Sequence, residues 1–446
     1  MSNKNCCVSK INYTVSSLLG GEGASIIKNE ESHVNRVLGV PVSAEEYMRL
    51  EQTVKYIGVT DRFKDVIRTF RVPETETPAG FRTELVYESA GVLRVDLVRD
   101  IAYDRNGKKR PTNLLFSADS ANPYEVAPVS NLLANLTCNP GIIYDLFINN
   151  PKANIGNRFK NRDEVMNEIG NILGPGCDIS VELNDPFGST EEEILEEAAK
   201  FREMLSEYRV VIKVPHTGPV NAENVKELLT GDKRFGRRYS QPDTRDAFRG
   251  HNLALMLAEH GYRVNFTLMF EPYQTALALQ ARPYFINSFI RHRNLQSAQM
   301  KSLLDLYGVS GDETYLVRLR DMLVEKDYLA AGEGDYSILK AKKAAEDLLK
   351  YRLYNTGEGC DGLDGVRHNL RVLRNCNMPD TRLIICSMEG DWNYPDIDKL
   401  LAEPEFEDMV GKVVLTAEPQ YLARFSSANQ VISYQRRFMN AANGQN

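Results

Sequence analysis

An α/β protein built on a (β/α)8 TIM barrel is the fold this sequence predicts, and three observations predict it. From residue 112 onward, eight short β-branched or apolar runs recur, at 113–120, 134–138, 177–183, 209–215, 262–270, 284–290, 381–387 and 412–418. Helical stretches separate them, including the acidic 189–206 and the segments 247–260, 272–281 and 396–409. Eight parallel strands alternating with helices is the number that closes a barrel, with an open doubly wound sheet as the alternative. The chain's 446 residues leave room for such a barrel and for additions to it.

Taken in order, residues 1–30 are polar and rich in Ser, Gly and Asn, and read as a loosely ordered lead. Gly20, Gly21 and Gly23 follow no strand and lack the further glycine of a dinucleotide fingerprint. Residues 31–110 form an accessory α+β region: Ser43 precedes an acidic helical first turn over 43–53, and Leu85-Val86-Tyr87 and 91–95 alternate as strands do. Residues 111–446 carry the barrel, which two segments exceed. One, 231–246, brings the basic cluster Lys233, Arg234, Arg237, Arg238, Arg245 and Arg249. Its place, read as helix-to-strand, puts it on the face opposite the active site, as a solvated or intersubunit surface; anion binding is the alternative. The other, 294–380, is a long helical insertion between the sixth and seventh strands, with Ile338, Ala341, Ala345, Leu348 and Leu349 at helical spacing.

Composition excludes several classes. Lys and Arg number 54 against 61 Asp and Glu, and this net charge of −7 argues against a nucleic-acid partner. No apolar run approaches the roughly 18 residues of a membrane helix, so no membrane partner is expected. Seven thinly spread cysteines make no disulfide framework, and no signal-peptide pattern opens the chain; a cytoplasmic, reducing setting is the expectation. Cys360, His368, Cys376 and Cys386 are too widely spaced for a zinc pattern, and no Walker loop is present.

Chemistry belongs at the carboxyl ends of barrel strands. There, polar residues stand where apolar filler is expected: Asp119 on the first, Glu182 on the third, Lys213 on the fourth, and Asn265 and Thr267, two apart and on one face, on the fifth. Lys213 lies inside Val210-Val211-Ile212-Lys213-Val214-Pro215. A buried ammonium must be paired or must lose its proton more readily than in water. A neutral lysine that attacks a carbonyl is what Schiff-base catalysis requires.

These residues also carry a resemblance. Asp119-Ser120-Ala121-Asn122, Leu136-Thr137-Cys138-Asn139-Pro140, Val181-Glu182, Val211-Ile212-Lys213-Val214-Pro215 and the run 264–270 resemble the transaldolase family in order and spacing. Gln274, Ala276, Phe289 and Leu415-Thr416-Ala417-Glu418-Pro419 continue the match, over roughly 112–425 apart from the two insertions. The resemblance implies a metal-free, cofactor-free transfer of a three-carbon dihydroxyacetone unit from a ketose or its phosphate to an aldose. It implies Lys213 as the Schiff-base lysine, Asp119 as general acid/base, and Glu182 with Thr267 as holders of the catalytic water. Asn139 and Asn265 would bind substrate hydroxyls with Thr137 beside them, and Phe289 marks the transfer-type enzymes. A homo-oligomer is compatible with this reading.

The sequence also departs from that family. Its substrate phosphate is usually bound by an arginine after the seventh strand and by Ser and Arg after the sixth. Here the first region reads Cys386-Ser387-Met388-Glu389-Gly390, which keeps Ser387 but places a carboxylate where the arginine belongs. The second reads 287–293, with Asn287 at the Ser position and His292 at the Arg position. Arg291 or Arg293 is then the substitute cation, or the two open a solvated helix. Two rival readings follow: an aldolase that releases dihydroxyacetone or acts on a non-phosphorylated or otherwise anionic sugar, and a catalytically inactive barrel used as a regulatory scaffold.

Overall fold

The computed structural model describes residues 13–20, 23–70, 72–205, 209–386 and 390–444. They divide into two compact units. One comprises Met1–Arg110, Gly174–Cys177 and Ser206–Arg209; the other comprises Pro111–Leu173, Asp178–Leu205 and Val210–Asn446.

The first unit is a four-stranded sheet with helices. Its strand order is Ser25–Ile26, Tyr56–Val59, Val92–Arg99, Phe81–Glu88, with the last pair antiparallel and the others parallel. Ser43 caps helix Ala44–Thr53 in a reciprocal capping box with Glu46, which satisfies two amides that the first turn would otherwise leave open. Thr60 caps Asp61–Thr69 in the same way from one side. The loose lead expected over 1–30 needs correction for its described part. Tyr13–Thr14 pairs with Pro41–Val42, and Val15 and Leu18 are buried in a core with Ile57, Phe63, Leu93 and Val95. Polar composition hid this, because a few scattered apolar residues, Val15, Leu18 and Ala24 with Tyr13, Leu19 and Ile26 against them, do the packing.

In the second unit, eight parallel strands close into a barrel in sequence order: Leu115–Asp119, Leu133–Cys138, Asp178–Glu182, Arg209–Pro215, Val264–Thr267, Phe285–Phe289, Arg382–Cys386 and Val413–Ala417. Helices such as Arg162–Leu173, Glu191–Met204, Thr244–Glu259 and Gln274–Gln280 return the chain between them. The strands are buried on both faces, which is why they read as nearly continuous apolar runs. A single helix over 396–409 does not form; Gly390–Leu401 ends before Pro404, and a 3-10 helix, Pro404–Lys412, leads to the last strand. Proline removes the amide that would continue the ladder.

Gly250 lets helix Thr244–Glu259 lie close on the fourth strand. A Cβ there would stand 2.3 Å from the Pro215 carbonyl oxygen. Thr217 completes this joint, donating to Asp246 O at 2.6 Å and accepting from the Gly250 amide at 3.2 Å.

Both additions emerge at the carboxyl ends of the strands. Segment 231–246 lies between the strand Arg209–Pro215 and the helix Thr244–Glu259. It is therefore a strand-to-helix connection, and its assignment to the opposite face is corrected. Between the sixth and seventh strands stand Arg291–Ser310, Thr314–Glu325 and Ile338–Tyr351, then Asp364–Arg374 directly before the seventh. The first three share a small core of Met300, Leu316, Leu319, Leu323, Ala341, Ala345 and Leu349. The two additions meet. Arg234 donates to Val324 O at 2.8 Å, Arg238 pairs with Glu333 through two nitrogens, and the Ala331 amide donates to Phe235 O at 3.1 Å. Part of the basic cluster thus binds the chain's own insertion.

No described helix is long and apolar enough to cross a membrane.

Candidate active site

Alternation along the strands builds two polar tiers inside the barrel. Ser117, Asn135, Ser180, Asn265 and Asn287 form the lower tier. Each lies two residues before Asp119, Thr137, Glu182, Thr267 and Phe289, and so shares a face with it.

The lower tier is bonded to itself. Asn135 Nδ2 donates to Ser117 Oγ (2.8 Å), Ser180 Oγ to Asn135 Oδ1 (3.1 Å), Asn265 Nδ2 to Ser180 Oγ (3.3 Å) and Asn287 Nδ2 to Asn265 Oδ1 (2.6 Å). Cys386 extends the chain to the seventh strand, its thiol 3.7 Å from Asn287 Oδ1. All six residues are buried, so the ladder satisfies groups that would be costly alone. It also engages two expected substrate ligands. Asn265 has both amide ends bonded to protein, and Asn287 Nδ2 also reaches Phe266 O at 2.8 Å. They make a floor. Ser117, Asn135 and Ser180 escaped the sequence reading, although counting back two positions from each expected site residue would have found them.

The upper tier has open valences. Lys213 Nζ is 3.1 Å from Glu182 Oε2. Asp119 Oδ1, Thr137 Oγ1 and Thr267 Oγ1 are buried with no hydrogen-bond partner among the described residues, as is Thr416 Oγ1 on the eighth strand. Thr137 stands opposite Asp119 in the strand register. Phe289 walls the tier, its ring packed on Phe270 with centroids 4.8 Å apart.

Electrostatics assign the protons. Burial pulls the Lys213 pKa down, but the Glu182 and Asp119 charges and the Glu182 hydrogen bond raise it further than burial lowers it. Of the two fates expected for this lysine, pairing is the one realised; the resting group is an ammonium. Burial pushes the Asp119 carboxyl up to about 6; Lys213 opposes this, while Glu418 and Glu182 add to it. A carboxyl in that range can exchange a proton near neutral pH. Burial raises the Cys138 and Cys386 thiols, so neither is a thiolate nucleophile at neutral pH. The end of the strand bearing Glu182 is braced by Arg162, also missed in sequence. Its guanidinium reaches Glu182 O (3.4 Å), Asn184 Oδ1 (2.8 Å) and Glu197 (2.7 Å).

The remaining expected ligands separate. Asn139 Oδ1 accepts from the Ile142 amide at 2.9 Å, leaving its NH2 for other contacts. Arg291 is exposed at the first position of helix Arg291–Ser310. Arg293 is buried, held bidentately by Asp364 and at 3.0 Å by Glu271, so it does not open a solvated helix start. The helical turn carries it inward, where carboxylates claim its donors. Ser387 and Glu389 lie outside the described residues.

The family comparison agrees with this geometry. Residues 116–303 match the family model described as Transaldolase/Fructose-6-phosphate aldolase. Over those residues, less than half of the chain, the sequence is similar to that family. The match spans the first six strands, and therefore Asp119, Glu182, Lys213 and Thr267, and points to aldolase-type chemistry. No curated protein matches the chain.

Just beyond Lys213, His216 sits edge-on to Phe266 at 4.3 Å, and burial lowers its pKa to about 4. A histidine held neutral in the fold destabilises it in acid: stability is lost as pH falls from about 6.5 toward 4, by roughly 3 kcal/mol in all. Asp119 acts with opposite sign between 3.8 and about 6. The prediction is therefore a difference: His216→Gln should be less acid-sensitive than wild type in urea melts from pH 7 to pH 4. Parallel pH curves would refute it.

Proposed function

We propose that this protein is a class I, transaldolase-type enzyme that transfers a dihydroxyacetone unit through a Schiff base on Lys213. The observation that carries the proposal is the buried group of one lysine, paired at 3.1 Å with Glu182, and one carboxyl tuned to about 6, Asp119.

In this reading, Lys213 gives its proton to Glu182 as the donor ketose enters, and the free amine adds to the ketone carbon. The carbinolamine loses water with help from Glu182 and Thr267, forming the imine. The Asp119 carboxylate then takes the proton of the hydroxyl next to the scissile bond. That carbon–carbon bond breaks, the aldehyde leaves, and the electron pair is held as an enamine on Lys213. An acceptor aldehyde takes the enamine carbon, Asp119 returns the proton, and water releases the product. Thr137 and Asn139 contact substrate hydroxyls, and the Asn265–Asn287 floor keeps the strands in register beneath them.

A second reading concerns the donor. Arg293 is committed to two carboxylates, which favours a ketose without phosphate. Fructose 6-phosphate and fructose, each tested with and without an aldose acceptor, separate the cases. Acceptor-dependent ketose formation is expected. Free dihydroxyacetone without acceptor would make the enzyme a simple aldolase, and no turnover or ketose trapping with any donor would sink the proposal.

A further inference from the structure

The loop leaving the fifth strand is strained where the site begins. Leu268, the residue after Thr267, has φ +57°. A leucine in the left-handed region persists only where its surroundings over-determine it, and such strain concentrates at functional sites.

Three sets of contacts hold this turn. Gln274 Oε1 accepts from the amides of Phe270 (2.7 Å) and Glu271 (2.9 Å), and its Nε2 donates to Leu268 O (3.2 Å). The Phe289 amide donates to Met269 O at 3.0 Å, tying the turn to the end of the sixth strand. The third set comes from the insertion. One Glu271 oxygen accepts from Arg293 Nε and the other from Arg352 Nη2. Arg352, just past helix Ile338–Tyr351 and 2 % exposed, also donates to Tyr328 Oη (2.7 Å), Ser297 Oγ (3.0 Å) and Arg293 O (3.2 Å). Arg293 in turn grips Asp364. Two guanidiniums and two carboxylates thus cancel within a mostly buried lattice of charge-assisted hydrogen bonds.

We propose that the insertion between the sixth and seventh strands is a clamp on the catalytic rim. Arg352, through Glu271, is a positioning residue that holds the Leu268 turn and thereby Thr267 and Phe289. Its catalytic consequence rests on the aldolase reading; its mechanical consequence does not.

The experiment compares wild type, Arg352→Met, Glu271→Gln/Arg352→Met and Arg352→Lys in three measurements. Arg352→Met leaves Arg293 alone against two carboxylates, Glu271 and Asp364, whereas the double variant leaves Arg293 paired with Asp364 and restores the charge balance, so a loss shared by both variants is not the effect of an uncompensated charge. Amide hydrogen exchange at Phe270, Glu271 and Phe289 should accelerate in the first two variants while the strand amides do not change. Their kcat should fall by about 100-fold, the scale of a misplaced reacting group. KM should change little, the rate of borohydride trapping on Lys213 should fall with kcat because imine formation uses Thr267, and Arg352→Lys should recover part of these losses. Unchanged exchange in Arg352→Met, or faster exchange spread evenly through the barrel, overturns the clamp. Accelerated exchange with no change in kcat overturns its positioning role. A wild-type enzyme that exchanges as described but never traps a ketose at Lys213 overturns the aldolase reading and leaves the mechanical clamp standing.

Discussion

Lys213→Met should lose all ketose-dependent labelling by borohydride, and its turnover should fall by about 10⁴-fold or more, the scale on which removing a covalent nucleophile acts. The reason is chemical: methionine fills the volume but has no nitrogen to condense with a ketone. The same change should weaken the fold. Lys213 is the cation against which Glu182 and Asp119 are buried, and breaking such a pair from one side costs about 3–5 kcal/mol. Its pH dependence has a definite sign. Without the ammonium, which lowers the Asp119 pKa, that carboxyl titrates above its wild-type value of about 6. A carboxyl whose folded pKa is raised contributes stability that is complete below its unfolded pKa, near 3.8, and lost as pH rises through the folded one. The variant's deficit relative to wild type should therefore shrink between pH 7 and pH 5 in thermal melts. Labelling of any other lysine in wild type would remove Lys213 from the mechanism.

Asp119→Asn should still form the trapped imine, yet cleave its donor about 10²- to 10⁴-fold more slowly, the range for loss of a general acid/base. In wild type the cleavage half-reaction needs the carboxylate, so its rate should fall on the acid side with a midpoint near 6. That limb should vanish in the variant. Stability should move the other way. Holding Asp119 ionised at pH 7 costs the fold roughly 3 kcal/mol, since its pKa rises from 3.8 to about 6. The near-isosteric amide removes that cost, so the slow variant should melt no lower than wild type and up to several degrees higher. This is the trade expected where a group is kept strained for chemistry. A variant that cleaves normally, or that keeps the acid limb, would take Asp119 out of the proton transfer.

The legible part of the site followed from alternation. Asp119, Glu182, Lys213 and Thr267 could be singled out because a polar residue inside an apolar strand must face something that compensates it. The same alternation holds for Ser117, Asn135 and Ser180, but small hydroxyls and amides draw less notice than a lysine among valines. At Arg291 and Arg293 alternation carries no such information. They are two residues apart at the start of one helix, and one faces solvent while the other is buried between Glu271 and Asp364. Helical phase separates them, and phase is set by packing, not by the local sequence.

Local pattern by itself determined the eight strands, their helical returns, the capped helix at Ser43 and the polar strand ends of the barrel, since each depends on residues within a turn or two of one another. Tertiary structure alone decided the pairing of Lys213 with Glu182, the engagement of Asn265 and Asn287 in the floor, and the place of 231–246 at the carboxyl ends of the strands. It also decided the commitment of Arg293 to the insertion. These outcomes rest on contacts between residues 22 positions apart in the Asn265–Asn287 bond, 71 in Arg293–Asp364 and 81 in Arg352–Glu271. An electrostatic partner that far along the chain has no local signature; it becomes determinate only when the barrel closes and brings the charges within a few ångströms.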